Sequence, residues 1–168
     1  MKQQRAFTLV EAVLVIVLTL ILTSASIGGL VGVQNWRGNS AVRRFQADAL
    51  YARNVAITST RRVMCVISTG TTYELQQEAA PGSGAVVATA MNHTLTDKAW
   101  RVNLGDLRSG LSVTVQPSLT PVEFGFNLDG RLIRRNGSVM QNDVVVTFNN
   151  GAVATLRAGS GLCEVQWP

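Results

Sequence analysis

Residues 7–33 are apolar at nearly every position, interrupted only by Glu11 and a few hydroxyl and glycine residues. A helix of that length, rising about 1.5 Å per residue, reaches across a hydrocarbon layer about 30 Å thick. Lys2 and Arg5 precede the run, so the positive-inside rule keeps the extreme N-terminus cytoplasmic and sends everything after Val33 outward. The pattern then changes without stopping. Over 34–57, Val42, Phe45, Ala49, Ala52 and Ala56 recur every three or four residues with Leu50 and Ile57 beside them, which predicts an amphipathic helix. Arg43, Arg44, Asp48 and Arg53 fall on its other faces, where they are expected to stay solvated. No proline interrupts 7–57, and Gly28, Gly29 and Gly32 each cost about 1 kcal/mol relative to Ala. One helix of roughly 75 Å is therefore expected, with these glycines as points of bending, close packing or local melting.

After Thr60 the helical period gives way to short β-rich runs separated by turn formers, the pattern of an antiparallel sheet or sandwich. Strands are expected over 62–68 and 72–76, flanking a Thr69-Gly70-Thr71 turn, then over 100–104, 111–115 and 122–126. Asp129-Gly130 turns the last of these into a strand over 131–135. Asn149-Asn150-Gly151 separates 144–148 from 152–157 and is the strongest hairpin signal in the chain. A final strand is expected over 162–167, and 79–84 reads as a loop by composition. The fold class that follows is α+β: a long N-terminal helix packed on a C-terminal antiparallel β-sheet or sandwich.

The length of 168 residues leaves room for one head domain once the apolar helix is set aside. The formal net charge of +5 falls to +3 without Met1 to Ala6, because Lys2 and Arg5 lie there, so basicity is a weak guide to partners. Cys65 and Cys163 lie far apart with no C-x-x-C spacing, which gives no support to a zinc or thioredoxin-like motif. Behind an export leader a disulfide between them is the expected state. It would tie the first strand to the last across a loop of about a hundred residues, nominally worth about 4 to 5 kcal/mol. If those strands are not neighbours, both thiols are simply buried hydrophobes.

An ordinary secretory signal is an alternative for the N-terminus: a basic start, apolar 12–22, then Thr23-Ser24-Ala25-Ser26 as a small-residue cleavage region. Two features oppose it. Glu11 sits inside the apolar run, where an ionised carboxylate is expensive unless partnered, and the apolar pattern continues past Ser26 through Ile27, Leu30, Val31 and Val33.

Ala6-Phe7-Thr8-Leu9-Val10-Glu11 resembles the class III leader junction of type IV pilins and type II secretion pseudopilins. The resemblance implies cleavage between Ala6 and Phe7 by a prepilin peptidase, followed by N-methylation of Phe7. The family usually has Gly where this chain has Ala6, a residue still small enough for a subsite that excludes bulk. It also implies a role for Glu11: pairing with the Phe7 α-amino group of a neighbouring subunit, which recruits that subunit and sets its axial register. The 49–57 segment leading into Arg62-Val63-Met64-Cys65-Val66 is similar to the helix end and first strand of the GspH/FimT-type minor subunits. The implied organisation is a leader at 1–6, a transmembrane and assembly helix at 7–33, an amphipathic helix at 34–60 and a periplasmic β-domain at 61–168. The implied function is that of a minor pilin or pseudopilin that initiates or caps a filament. The chain would sit in the bacterial inner membrane as a single-pass protein. Its partners would be other subunits, the peptidase and the membrane. Type IV pili, mannose-sensitive haemagglutinin (MSHA) pili and type II secretion all use this plan.

No enzyme, cofactor or metal is expected. His93, the only histidine, stands in a polar stretch with no acid or Cys motif nearby, and the acids of the head are scattered. The one constellation with binding potential is Gly130-Arg131-Leu132-Ile133-Arg134-Arg135, three guanidinium groups around one hairpin. Strand alternation would place Arg131 and Arg135 on one face and Arg134 on the other. Some FimT-type minor pilins bind DNA during natural transformation through a C-terminal Gly-Arg-x-Arg motif, which this segment matches only in part. DNA binding by Arg131, Arg134 and Arg135 is therefore the alternative to a solvated basic strand.

Overall fold

The computed structural model describes residues 9–82, 88–93, 96–117 and 122–168, the side chains at 24–35 and 88 excepted. The chain divides into two units, Met1–Trp36 and Arg37–Pro168. Helix α1 spans Leu9–Ser59 and supplies residues to both. It is helical through Gly28, Gly29 and Gly32, so the expected weak points do not break the backbone ladder.

In the first unit the large apolar side chains of α1 are exposed, from Leu9 (81%) to Leu22 (66%). The hydroxyls of Thr19 and Thr23 are satisfied locally. Thr19 Oγ1 donates to the carbonyl oxygens of Val15 (2.9 Å) and Ile16 (2.8 Å), and Thr23 Oγ1 to those of Thr19 and Leu20. Such back-bonding hides a hydroxyl against its own helix and makes it compatible with an apolar surrounding.

In the second unit α1 presents the predicted small-residue stripe. Ala41, Val42, Phe45, Ala49, Ala52 and Ala56 are all buried. The β-strands are β1 (Val63–Ser68), β2 (Thr72–Glu78), β3 (Ala88–Ala90), β4 (Arg101–Asn103), β5 (Val113–Gln116), β6 (Glu123–Phe126), β7 (Leu132–Ile133), β8 (Val144–Phe148), β9 (Val153–Leu156) and β10 (Cys163–Gln166), with a one-turn helix α2 (Leu104–Leu107) after β4. They form two antiparallel sheets. The first runs β3-β2-β1-β6-β7, with β4 also paired to β2, and the second runs β10-β9-β8-β5. Val113 N–H donates to Gly70 O at 2.7 Å and Leu132 N–H to Ala158 O at 3.2 Å, so backbone bonds stitch one sheet to the other at two places.

Phe45 packs edge-on against Tyr73 of the first sheet (ring centroids 5.3 Å) and Phe148 of the second (5.7 Å). One helix residue thereby joins both sheets in a shared core, which favours edge-to-face aromatic geometry. The sheet itself demands close backbone approach at Gly125, where a Cβ would meet Val63 O at 2.5 Å and collide with Met64 Sδ. At Gly161 φ is +65° and a Cβ would run into Gly130 O, so the turn after β9 packs directly on the turn after β6.

Two expectations are corrected. Asp48 is not on a wet face: it is buried (8% exposed), and Tyr73 Oη donates to its Oδ2 at 2.6 Å. The helix rotation that places the Ala stripe on the sheet also carries Asp48 under β2, where a tyrosine meets it. The strand expected over 131–135 shrinks to Leu132–Ile133, both buried, because Gly137 N–H donates to Arg134 O and Arg134 N–H to Ser138 O, closing a tight turn. The strand expected over 100–104 is present as β4, Arg101–Asn103, and ends where α2 begins at Leu104, with Asn103 capping the helix by accepting from Gly105 N–H at 2.9 Å. β3 was not foreseen, since Ala88–Ala90 has weak strand propensity of its own.

Candidate functional site

The processing residues Ala6 and Phe7 lie outside the described residues. Glu11 is within the first turn of α1 and exposed. An acidic residue there is favoured by the positive end of the helix dipole. Beside it Leu9, Val10, Val13, Leu14, Val17 and Leu18 form a continuous apolar flank at three- and four-residue spacing. Among the described residues no helix is long and apolar enough to cross a membrane. The apolar run of the sequence continues to Val33, and the side chains at 24–35 lie outside the description.

Cys65 lies on β1 of the first sheet and Cys163 opens β10 of the second, and both are buried free thiols within one core cluster. Burial pushes the Cys65 thiol well above its usual range, and the charges of Asp48 and Cys163 push it the same way. Cys163 is pushed up to about 12, by burial first and Glu164 second. Tyr73 is raised by burial first, then by the charge of Asp48 and its hydrogen bond to that carboxylate. These groups are held neutral, which is unsuited to nucleophilic chemistry.

The three arginines of the basic hairpin do not act alike. Arg135 pairs with Glu123 and donates to Gln76 Oε1 at 3.2 Å, so its charge is spent on the outer side of β6 and β2. Arg131 and Arg134 are exposed. Since β7 is two residues long, the alternation expected from Arg131 through Arg135 does not apply. Arg157 binds Asp143 (2.9 Å) and Glu164 (2.8 Å) and fastens the β9–β10 turn. Among the described residues no group of three or more His, Cys, Asp or Glu gathers to hold a metal.

One feature escaped sequence reasoning. His93 is half-buried rather than free in a loop, packing on Trp100 (centroids 4.5 Å), which in turn stacks on Tyr51 of α1 (4.7 Å, planes 22° apart). The three residues come from α1 and from opposite sides of a short hairpin, and no local spacing links them.

Residues 1–27 match the prokaryotic N-terminal methylation motif. The fold is similar to that of the minor pseudopilin EpsH from the type 2 secretion system of Vibrio cholerae, with TM-score 0.56 and 11% identity over 79% of this chain and 96% of that one. It is likewise similar to E. coli GspH, with TM-score 0.54 and 16% identity over 80% of this chain and 90% of that one. The type IV minor pilin FimU of Pseudomonas aeruginosa gives TM-score 0.50 and 13% identity over 77% of this chain and 92% of that one. At such identities the likeness is one of fold. No curated protein matches the chain significantly.

Proposed function

We propose that the chain is a structural subunit, a minor type IV pilin or type II secretion pseudopilin, anchored in the inner membrane through residues 7–33 and built into a filament once a prepilin peptidase removes residues 1–6. The observation that carries this reading is the methylation motif at 1–27 placed ahead of an α+β head with the fold of EpsH and GspH. Subunits of this kind are structural and not enzymes. The physical logic agrees. Exposed Leu, Val and Ile side chains along α1 from Leu9 to Leu22 need an apolar surrounding, which lipid supplies before assembly and neighbouring helices supply after it. Cutting between Ala6 and Phe7 creates an α-amino group at the start of that helix, and Glu11 of a neighbour is its natural counter-ion in low dielectric.

In an oxidising compartment the same reading has Cys65 and Cys163 joined, linking β1 of one sheet to β10 of the other. DNA uptake is the weaker alternative, because Glu123 neutralises one of the three arginines it relies on.

The test is intact-mass and N-terminal analysis of the full chain produced with and without a prepilin peptidase. The expected product begins at N-methylated Phe7 only when the peptidase is present; a start near Ser26 instead would establish an ordinary signal peptide and sink the proposal. Glu11→Ala is expected to lower filament incorporation by about a hundredfold, the consequence of stranding a charge at about 3 kcal/mol.

A further inference from the structure

One end of the head is built without acidic side chains. A Cβ at Gly38 of α1 would stand 3.0 Å from Arg108 Nη1 and 3.1 Å from Asn150 Nδ2, so the residue after α2 and the tip of the β8–β9 hairpin both close on the helix there. Asn150 Nδ2 also lies 3.4 Å from Asn39 Oδ1. A Cβ at Gly151 would come within 3.2 Å of Pro168, which sets the chain after β10 against the same hairpin tip. Arg43 lies over the ring of the half-exposed Trp167, 5.6 Å from its centroid. Among the described residues, the segments that meet here, 37–47, 108–110, 149–151 and 167–168, hold four arginines and no Asp or Glu. Arg44 turns to Asp48. Arg37, Arg43 and Arg108 make no salt bridge among the described residues, and Arg37 and Arg43 are exposed. Arg101, Arg135 and Arg157, by contrast, are answered within the head by Glu74, Glu123 and the pair Asp143 and Glu164.

The chain itself limits what this end can face. Arg37 follows Val33, the last residue of the apolar run, by four positions, so even a fully extended connection of about 14 Å keeps it beside whatever surrounds that run. On the anchored reading given above, that surrounding is a bilayer, whose headgroup layer adds about 5 to 8 Å on each side of the hydrocarbon. Uncompensated guanidinium groups are drawn to a surface of lipid phosphates. An indole with one side wet belongs at the same depth. Arg43 suits both, because a guanidinium stacked on a ring keeps its N–H groups free for a phosphate in its own plane.

We propose that this end of the head docks on anionic lipid headgroups through Arg37, Arg43 and Trp167, with Arg108 adding to the positive field, and holds the unassembled subunit against the bilayer surface. The inference rests on the membrane-anchored reading of residues 7–33. An acidic protein surface would satisfy the same charges, but the short connection presents lipid at an effective concentration that a dissolved partner does not reach.

The full chain carrying Trp36→Phe is reconstituted into nanodiscs of phosphatidylcholine, alone or mixed with phosphatidylglycerol, each with the same fraction of a lipid bearing a nitroxide quencher on its headgroup. Trp36→Phe with Trp167→Phe is the blank that isolates Trp167 emission. Quenching of Trp167 is expected to be stronger in the phosphatidylglycerol discs, and raised salt should abolish the difference. Read as the ratio between the two discs, Arg37→Gln and Arg43→Gln should each lower the docked fraction relative to the free one about fivefold. Arg134→Gln removes an exposed charge from the turn after β7 and should change nothing. Quenching indifferent to lipid charge, or equal losses in all three variants, overturns the proposal and leaves the anchored reading intact. A chain that enters neither disc sinks both.

Discussion

The two parts of α1 are helices of the same hand and pitch, yet they solve opposite problems. Over residues 9–22 the apolar positions are Leu, Val and Ile with one Ala and stand exposed; over 41–56 the core-facing positions Ala41, Val42, Phe45, Ala49, Ala52 and Ala56 are buried to the last few per cent. Bulk is useful where the partner is lipid or another helix that can adapt around it. It is excluded where the partner is a twisted sheet that the helix backbone must approach closely. The first stretch leaves its apolar surface exposed, whereas the second buries its own in the core of the head. The polar groups follow the same division. Thr19 and Thr23 turn inward onto their own carbonyls, while Asp48 reaches across to Tyr73.

Enlarging one alanine in each stretch breaks this comparison most sharply. Ala52→Leu forces three carbons between α1 and the sheets and is expected to destabilise the head by about 3 kcal/mol. Ala12→Leu, on the exposed stretch, should leave head stability unchanged. Denaturant unfolding of both variants, followed by near-ultraviolet circular dichroism, checks the contrast; equal effects would mean that the two stretches are packed alike.

A smaller effect is expected from the buried acid. Asp48→Ala leaves the Tyr73 hydroxyl without its acceptor and should cost about 2 kcal/mol. Tyr73→Phe should cost a similar amount. The double variant is expected to lose clearly less than the sum, because the orphaned group is removed along with its partner. Additive losses would show that the bond contributes nothing specific.

The smallest effect is one of pH. Cys65, Cys163 and Tyr73 all have folded pKa values raised above their ordinary values of 9.0, 9.0 and 10.0. The unfolded chain releases those protons first, so the stability they protect is fully present below about pH 9 and declines as pH rises beyond it. With reduced protein, the unfolding midpoint in denaturant should fall steadily from pH 9 to pH 11. With the Cys65–Cys163 bond formed the two thiols no longer titrate, and the decline should be shallower and begin nearer pH 10. Identical slopes for oxidised and reduced samples, with thiol counts confirming each state, would remove the thiols as the cause.

Much of the architecture was legible because it is written in short-range pattern. The shift from a continuous apolar run to a three-and-four stripe at Val42, Phe45, Ala49, Ala52 and Ala56 located the docked half of α1. Asn149-Asn150-Gly151 and Asp129-Gly130 located two reversals that the structure contains. What local pattern misjudged were residues whose partners lie far along the chain. Asp48 looked solvated beside Arg44 because nothing nearby in sequence announces Tyr73. Arg135 looked like part of a basic strand because Glu123 and Gln76 reach it only through the pairing of β6 with β1 and β1 with β2.

The sequence by itself determined the sorting of the chain into an apolar helical lead, an amphipathic helix and a β-rich head. These depend on periodicity, charge placement and turn chemistry, all of which act within a few residues. Only the tertiary structure decided that Cys65 and Cys163 share a core from different sheets, that Asp48 is a buried acceptor, and that Arg43 and Trp167 meet at one end of the head. Those relations follow from strand order and from the rotation of α1 on the sheets, which is set by the cooperative packing of the whole core.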